Sequence, residues 1–96
     1  MATFVTLVNF TDQGIRTVKD SPTRLEAFRA LVEAQGGTVK NAYWTLGNYD
    51  LVVIVEGTEE AAMTTSLIVG SLGNVRTQTM RGFSAEEMKG LISKMP

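Results

Sequence analysis

Tyr43–Glu56 reads YWTLGNYDLVVIVE, and these residues decide the architecture. Gly47-Asn48 separates two strand-like runs. That pattern signals a tight hairpin, because glycine reaches positive φ without a Cβ clash. Leu51–Val55 shows no polar alternation, so both faces of that strand must be covered, as in the middle of a sheet. A two-residue turn pairs Thr45 with Asp50, Tyr43 with Val52, Asn41 with Ile54 and Val39 with Glu56. Trp44, Leu51 and Val53 then share the opposite face, and a loop of odd length would reverse the first strand of the pair.

Working outward, Thr3–Phe10 reads as the first strand. Thr11-Asp12 caps a short helix carrying Ile15 and Val18. Ser21 suits the N-cap of the first main helix and Pro22 its first helical position. Leu25, Phe28, Leu31 and Val32 recur at helical spacing until Gly36-Gly37 stops the helix. The second strand runs from about Thr38 to Thr45 and the third from Tyr49 to Glu56. Thr58 caps the second main helix, with Glu59 and Glu60 at the positive end of its dipole. Met63, Leu67 and Ile68 form the apolar stripe expected to face the core. Asn74–Gly82 is the most polar strand and therefore an edge. Ser84 and Glu87 form a capping box, Phe83 and Met88 occupy the staple positions, and a terminal helix with Met88, Leu91 and Ile92 follows.

The order is βαββαβ with an extra C-terminal helix. Right-handed crossovers put both main helices on one sheet face and strands one and three in the centre. The fold class is thus α+β, ferredoxin-like, as a single domain over residues 1–96. Val5, Leu7, Val52 and Ile54 fall on the helix-free face, and an apolar face of that size commonly marks an interface. The expected cover is a second copy about a two-fold axis, giving a dimeric α/β-barrel type of assembly. The alternative is that the terminal helix folds back over the same face.

Nine Lys plus Arg balance ten Asp plus Glu for a net charge of −1, with neither sign concentrated. Nucleic-acid binding needs a dense basic face, so that class is set aside. Cysteine and histidine are both absent, which removes disulfides, thiolate nucleophiles and imidazole ligands. No metal site and no cofactor is expected. The N-terminal MATFVTLVNF lacks a basic leader and reads as a strand, and no apolar run approaches the roughly 20 residues that span a bilayer. A cytoplasmic protein without membrane contact is the expectation.

TFVTLVNFTDQGIR, KDSP, YWTLGNYDLVVIVE, GSLGNVRTQT and the FSAEEM helix start together resemble the GYD-domain family of small prokaryotic proteins. The similarity spans essentially the whole chain. The Gly-Tyr-Asp motif of that family here carries Asn48 as an insertion, giving Gly47-Asn48-Tyr49-Asp50. The resemblance implies a dimeric α+β-barrel fold and no particular reaction. GNYDLVVIV and GNVRTQT are also similar, more distantly, to the effector-binding module of the Lrp/AsnC regulators. That similarity implies dimerisation and ligand sensing; the helix-turn-helix of those regulators is missing here.

Candidate chemistry is sparse. Asp50, at the entrance to the buried strand, is either a carboxylate base or an acceptor for the turn's own backbone, and the second role is the commoner one. Tyr43 and Tyr49 either line a pocket or are ordinary strand tyrosines. Lys19, Ser21 and Arg24 surround a helix start that suits an anion or simple capping. The five methionines suit core filling rather than copper. Asn9 and Arg76 fall on neighbouring strands, and with Glu56 they are expected to form a polar cluster at one end of the open face. The expected ligand site is Asn9, Tyr43, Tyr49, Asp50 and Arg76, with Arg76 gripping a small anionic metabolite. A small-molecule binding or sensing homo-oligomer fits these residues best. A cofactor-independent isomerase, cyclase or oxygenase, and a purely structural assembly subunit, are the alternatives.

Overall fold

The computed structural model describes residues 1–96. Its elements are β1 (Ala2–Phe10), α1 (Asp12–Arg16), a 3-10 turn (Val18–Asp20), α2 (Ser21–Ala34), β2 (Thr38–Trp44), β3 (Leu51–Gly57), α3 (Glu59–Ser71), β4 (Val75–Gly82) and α4 (Ala85–Ile92). The four strands form one antiparallel sheet in the order β2-β3-β1-β4. The fold is the ferredoxin-like α+β arrangement, with the two most apolar strands in the centre and the most polar at an edge.

Alternation along the strands separates the two faces. Under the helices lie three cross-strand rows: Trp44-Leu51-Val8-Thr77, Ala42-Val53-Thr6-Thr79 and Val39-Val55-Phe4-Arg81. Val8, Val32, Val39, Leu51, Val53 and Val55 form the buried core, with Phe28, Ala42 and Val75 packed against it. The open face carries Tyr43-Val52-Leu7-Gln78 and Asn41-Ile54-Val5-Met80. Its centre is apolar and its two ends are polar.

The hairpin register holds from Trp44↔Leu51 to Asn41↔Ile54 and then shifts, because a bulge at Lys40 pairs Val39 with Val55 and Thr38 with Glu56. Val39 therefore enters the core at 5% exposure instead of facing Glu56. A bulge inserts one residue without a partner and turns the side chains beyond it to the other face. Gly47 has φ of +110° and permits the reversal.

Two helix assignments change. Ser21 is not a cap: the 3-10 turn runs directly into α2 with helical backbone at Asp20 and Ser21, and the N-cap position has no side-chain bond. The Ser21 hydroxyl is buried and accepts the Trp44 indole N–H at 3.0 Å, which ties the end of β2 to the start of α2. In α3, Thr65 is the buried residue, and Ala61, Ala62 and Val69 lie on the same inward side. Met63 and Leu67 point outward, 63% and 65% exposed. Small residues let α3 approach the sheet, so its bulky apolar side chains are left for another surface. All five methionines are exposed, so none fills the core.

The terminal helix docks on neither face of the sheet. Ser84 and Glu87 complete the reciprocal capping box. Arg81 pairs with Glu87 at 3.3 Å and stacks 4.4 Å from the centre of the Phe83 ring. Met88, Leu91 and Ile92 remain 44–56% exposed. The radius of gyration is 14.6 Å, against ~12.5 Å for a compact chain of this length.

Candidate functional site

The residues expected to form a ligand site fall into three groups. Asn9, Tyr49 and Asp50 converge where the Gly47–Asp50 segment crosses the end of β1. Asp50 donates its backbone N–H to the Val8 carbonyl and accepts the Phe10 N–H on Oδ2, both at 2.8 Å. Asn9 Nδ2 donates to the Asn48 carbonyl at 2.7 Å. The Tyr49 hydroxyl reaches across β1 and donates to Gln78 Oε1 at 3.2 Å. These bonds extend the ladder of β1 through the loop and fix the loop over the sheet end, so Asp50 acts as a backbone acceptor.

Arg76 stands opposite Asn9 on β4, exposed, and no hydrogen bond or ion pair engages it within the chain. Tyr43 lies on the outer strand β2, 61% exposed, in the row that runs through Val52 and Leu7 to Gln78. Glu56 does not join them. Antiparallel pairing sets it opposite Thr3, at the far end of β1 from Asn9, and it meets Lys40 at 3.9 Å. Six residues of extended strand put Asn9 and Thr3 about 20 Å apart, so the expected Asn9-Glu56-Arg76 cluster does not form. The helix start offers no anion site either. Arg24 is spent on the Thr17 and Gly14 carbonyls and the Thr17 hydroxyl, and Ser21 on Trp44.

Two concavities lie on the other side of the sheet, and the shallower one, of about 400 Å³, runs along the outer side of α3 past Glu59, Met63 and Arg81. Between α2, α3 and the helix-covered face is a cavity of about 370 Å³, within the range of ordinary small-molecule sites. One side is apolar, built from Leu25, Phe28, Leu31, Val53, Val55 and Val69. The other interleaves hydroxyls, Thr6, Thr77 and Thr79 from the β1–β4 pair and Thr65 and Ser66 from α3, with apolar residues such as Phe4, Val8 and Val75. Thr6 and Thr79 share a hydrogen bond at 3.2 Å, and Thr65 Oγ1 accepts the Gln35 side-chain amide at 2.8 Å. Arg24 and Glu56 are the charged residues on the wall, and each is already engaged with other groups of the chain.

This gradient follows from the sheet rows, which run from aliphatic on β3 to threonine on β4. An interior of this kind accommodates an apolar body with a few neutral oxygen functions, and it brings no acid–base pair together. Sequence reading misses it because its width depends on how far α2 and α3 stand apart. The alternate threonines Thr77 and Thr79 of β4, on the same face as the aliphatic residues of β3, are the signal that could have pointed to it.

Among curated proteins, the "Glutamine synthetase and cystathionine beta-lyase binding protein" of Thermus thermophilus is 30% identical over 90 residues, which cover 92% of this chain and 95% of that protein. Among solved structures, a hypothetical protein from Pyrococcus horikoshii superposes with a TM-score of 0.57 at 23% identity, covering 88% of this chain and 92% of its own. A structure from Thermus thermophilus superposes with a TM-score of 0.51 at 25% identity, covering 88% and 96%. The family model for the GYD domain matches residues 4–92, nearly the full length of the fold described above, and the chain therefore belongs to the GYD-domain family.

Proposed function

We propose that this chain is a binding protein with no catalytic centre of its own, working as a homodimer, or an assembly of dimers, in the cytoplasm, and holding a small neutral ligand between its helices and its sheet. The observation that carries this is the cavity of about 370 Å³ with an apolar side and a hydroxyl-bearing side. A partly open cleft of that size leaves apolar side chains short of contacts that a ligand would supply. The relative's name, a binding protein of two enzymes, supports binding over turnover. The open face would then serve assembly, with Asn9, Tyr49 and Arg76 on its rim as a secondary place for a small anion.

Thermal shift tests it. Neutral apolar compounds with hydroxyl or carbonyl groups, such as medium-chain alcohols, phenols and ketones, are expected to raise Tm in proportion to the logarithm of their concentration. Ala62→Phe, which projects into the cavity, is expected to abolish that response in a folded protein. A response that survives Ala62→Phe, or one confined to charged amino acids and organic acids, would place any ligand elsewhere.

A second reading is docking on another protein. It is favoured by the outward Met63 and Leu67 of α3, an apolar pair on the helical layer that nothing in the chain covers, and by the relative's name. Loss of a purified partner enzyme on Leu67→Asp, with ligand response unchanged, would select it.

A further inference from the structure

We infer that α4 is an exchanged arm: its apolar side, Met88, Leu91 and Ile92, packs on a second copy of this chain and not on its own. This rests on the homodimer reading above and adds how the two copies engage.

Four observations lead there. First, α4 has eight residues, and an isolated helix shorter than about 12 residues is marginal in water. Something must cover it. Second, its own sheet is out of reach. Only Phe83 and Ser84 lie between β4 and α4, and both are committed, Phe83 under the Arg81 guanidinium and Ser84 in the capping box. Arg81 also holds Glu87 and donates to the Gly82 and Thr3 carbonyls, so the exit angle is set by several contacts at once. Folding α4 back would break them. Third, Met88, Leu91 and Ile92 are all left exposed, in a molecule that is elongated, 52 Å along its long axis and 18 Å along its short one.

The fourth is area. The chain exposes 6495 Å², roughly 1,100 Å² more than the ~5,400 Å² that surface scaling gives a compact monomer of its mass. A stable complex needs about 800 Å² from each partner. A second copy is the occupant that accounts for this surface. Every copy carries both an uncovered arm and an uncovered apolar sheet face, and a two-fold axis satisfies the two together. An unrelated partner on the arm would leave the half-buried Val5, Leu7, Val52 and Ile54 without a cover.

Isotope-filtered NMR on an equal mixture of 13C-labelled and unlabelled full-length chain reads this directly. The methyl groups of Leu91 and Ile92 are expected to show contacts to protons of the unlabelled copy. The double variant Leu91→Asp/Ile92→Asp is expected to weaken self-association at least about tenfold, since it removes two apolar anchors from the contact. A dimer whose Leu91 and Ile92 methyls contact only their own chain overturns the arm and leaves the homodimer intact. A dimer unaffected by the double variant does the same. A chain that is monomeric throughout overturns both.

Discussion

Ile54→Asp is the sharpest probe of the open face. Ile54 lies mid-face, between Asn41 of β2 and Val5 of β1, and its environment in a lone chain is partly aqueous. The introduced carboxylate would remain hydrated there, so the fold should lose little. In a two-fold dimer the substitution occurs twice, and each copy places a charge without a partner against the Val5-Leu7-Val52 surface. An uncompensated buried charge costs about 3 kcal/mol or more, so the pair costs roughly 6 kcal/mol. At 1.4 kcal/mol per decade that weakens the dimer about 10⁴-fold. Sedimentation velocity over a hundredfold concentration range, with circular dichroism to verify folding, measures it. The expected result is a folded monomer where the unsubstituted chain is a dimer. An unchanged dimer at micromolar concentration would refute the assignment of this face as the interface.

Three further outcomes are expected. Gly14→Ala should disrupt the junction of α1 with the α3–β4 loop, because a Cβ there would stand 1.9 Å from the Asn74 carbonyl oxygen; the cost should exceed ~2 kcal/mol by denaturant titration, and a neutral effect would mean the loop moves freely. Asp50→Ala should cost ~1–2 kcal/mol through the orphaned Phe10 N–H, while Asp50→Asn keeps a side-chain acceptor and should cost less; equal costs would deny the acceptor role. The Ser84 backbone N–H, with help from Arg81, holds the Glu87 carboxyl below the ordinary glutamate value of 4.5. A group whose folded pKa is lowered stabilises above its unfolded pKa and loses that contribution as pH falls through the folded value. Helicity of residues 85–92 should therefore be flat at neutral pH and decline only below about 4.5, and Glu87→Gln should remove the decline.

The sheet was legible because its signals are local or strictly alternating. The Gly47-Asn48 reversal, the uninterrupted Leu51–Val55 run and the polar Val75–Gly82 segment place three strands before any contact is known. Caps at Thr11, Thr58 and Ser84 were equally readable, each depending on a side chain and an N–H a few residues away. The failures depend on distant partners. Ser21 has the composition of a cap, but Trp44 claims its hydroxyl. Met63 and Leu67 have the spacing of a core stripe, but the sheet selects Ala61, Thr65 and Val69 because a small-residue side sits closer. The bulge at Lys40 leaves no mark in composition, and it moves Val39 to the core. Arg76 and Asn9 were rightly placed as neighbours, because β1–β4 pairing follows from topology. Glu56 was misplaced by the length of a strand, because antiparallel pairing reverses its end.

β1 precedes both of its pairing partners in the chain and is the last strand to be satisfied. It sits between β3 and β4, and Thr3 faces Glu56 on one side and Gly82 on the other. Synthesis at roughly 5–20 residues per second leaves this strand waiting for seconds with both edges unpaired. The intermediate presents FVTLV and, later, LVVIV as bare apolar strands, the composition that drives intermolecular β-pairing. Long-range pairings of this kind also slow folding itself. Yield in the cell should thus be governed by elapsed time more than by final stability, and slowing elongation after Gly57, before β4 exists, should divert more chain into aggregates than the same pause placed after Gly82.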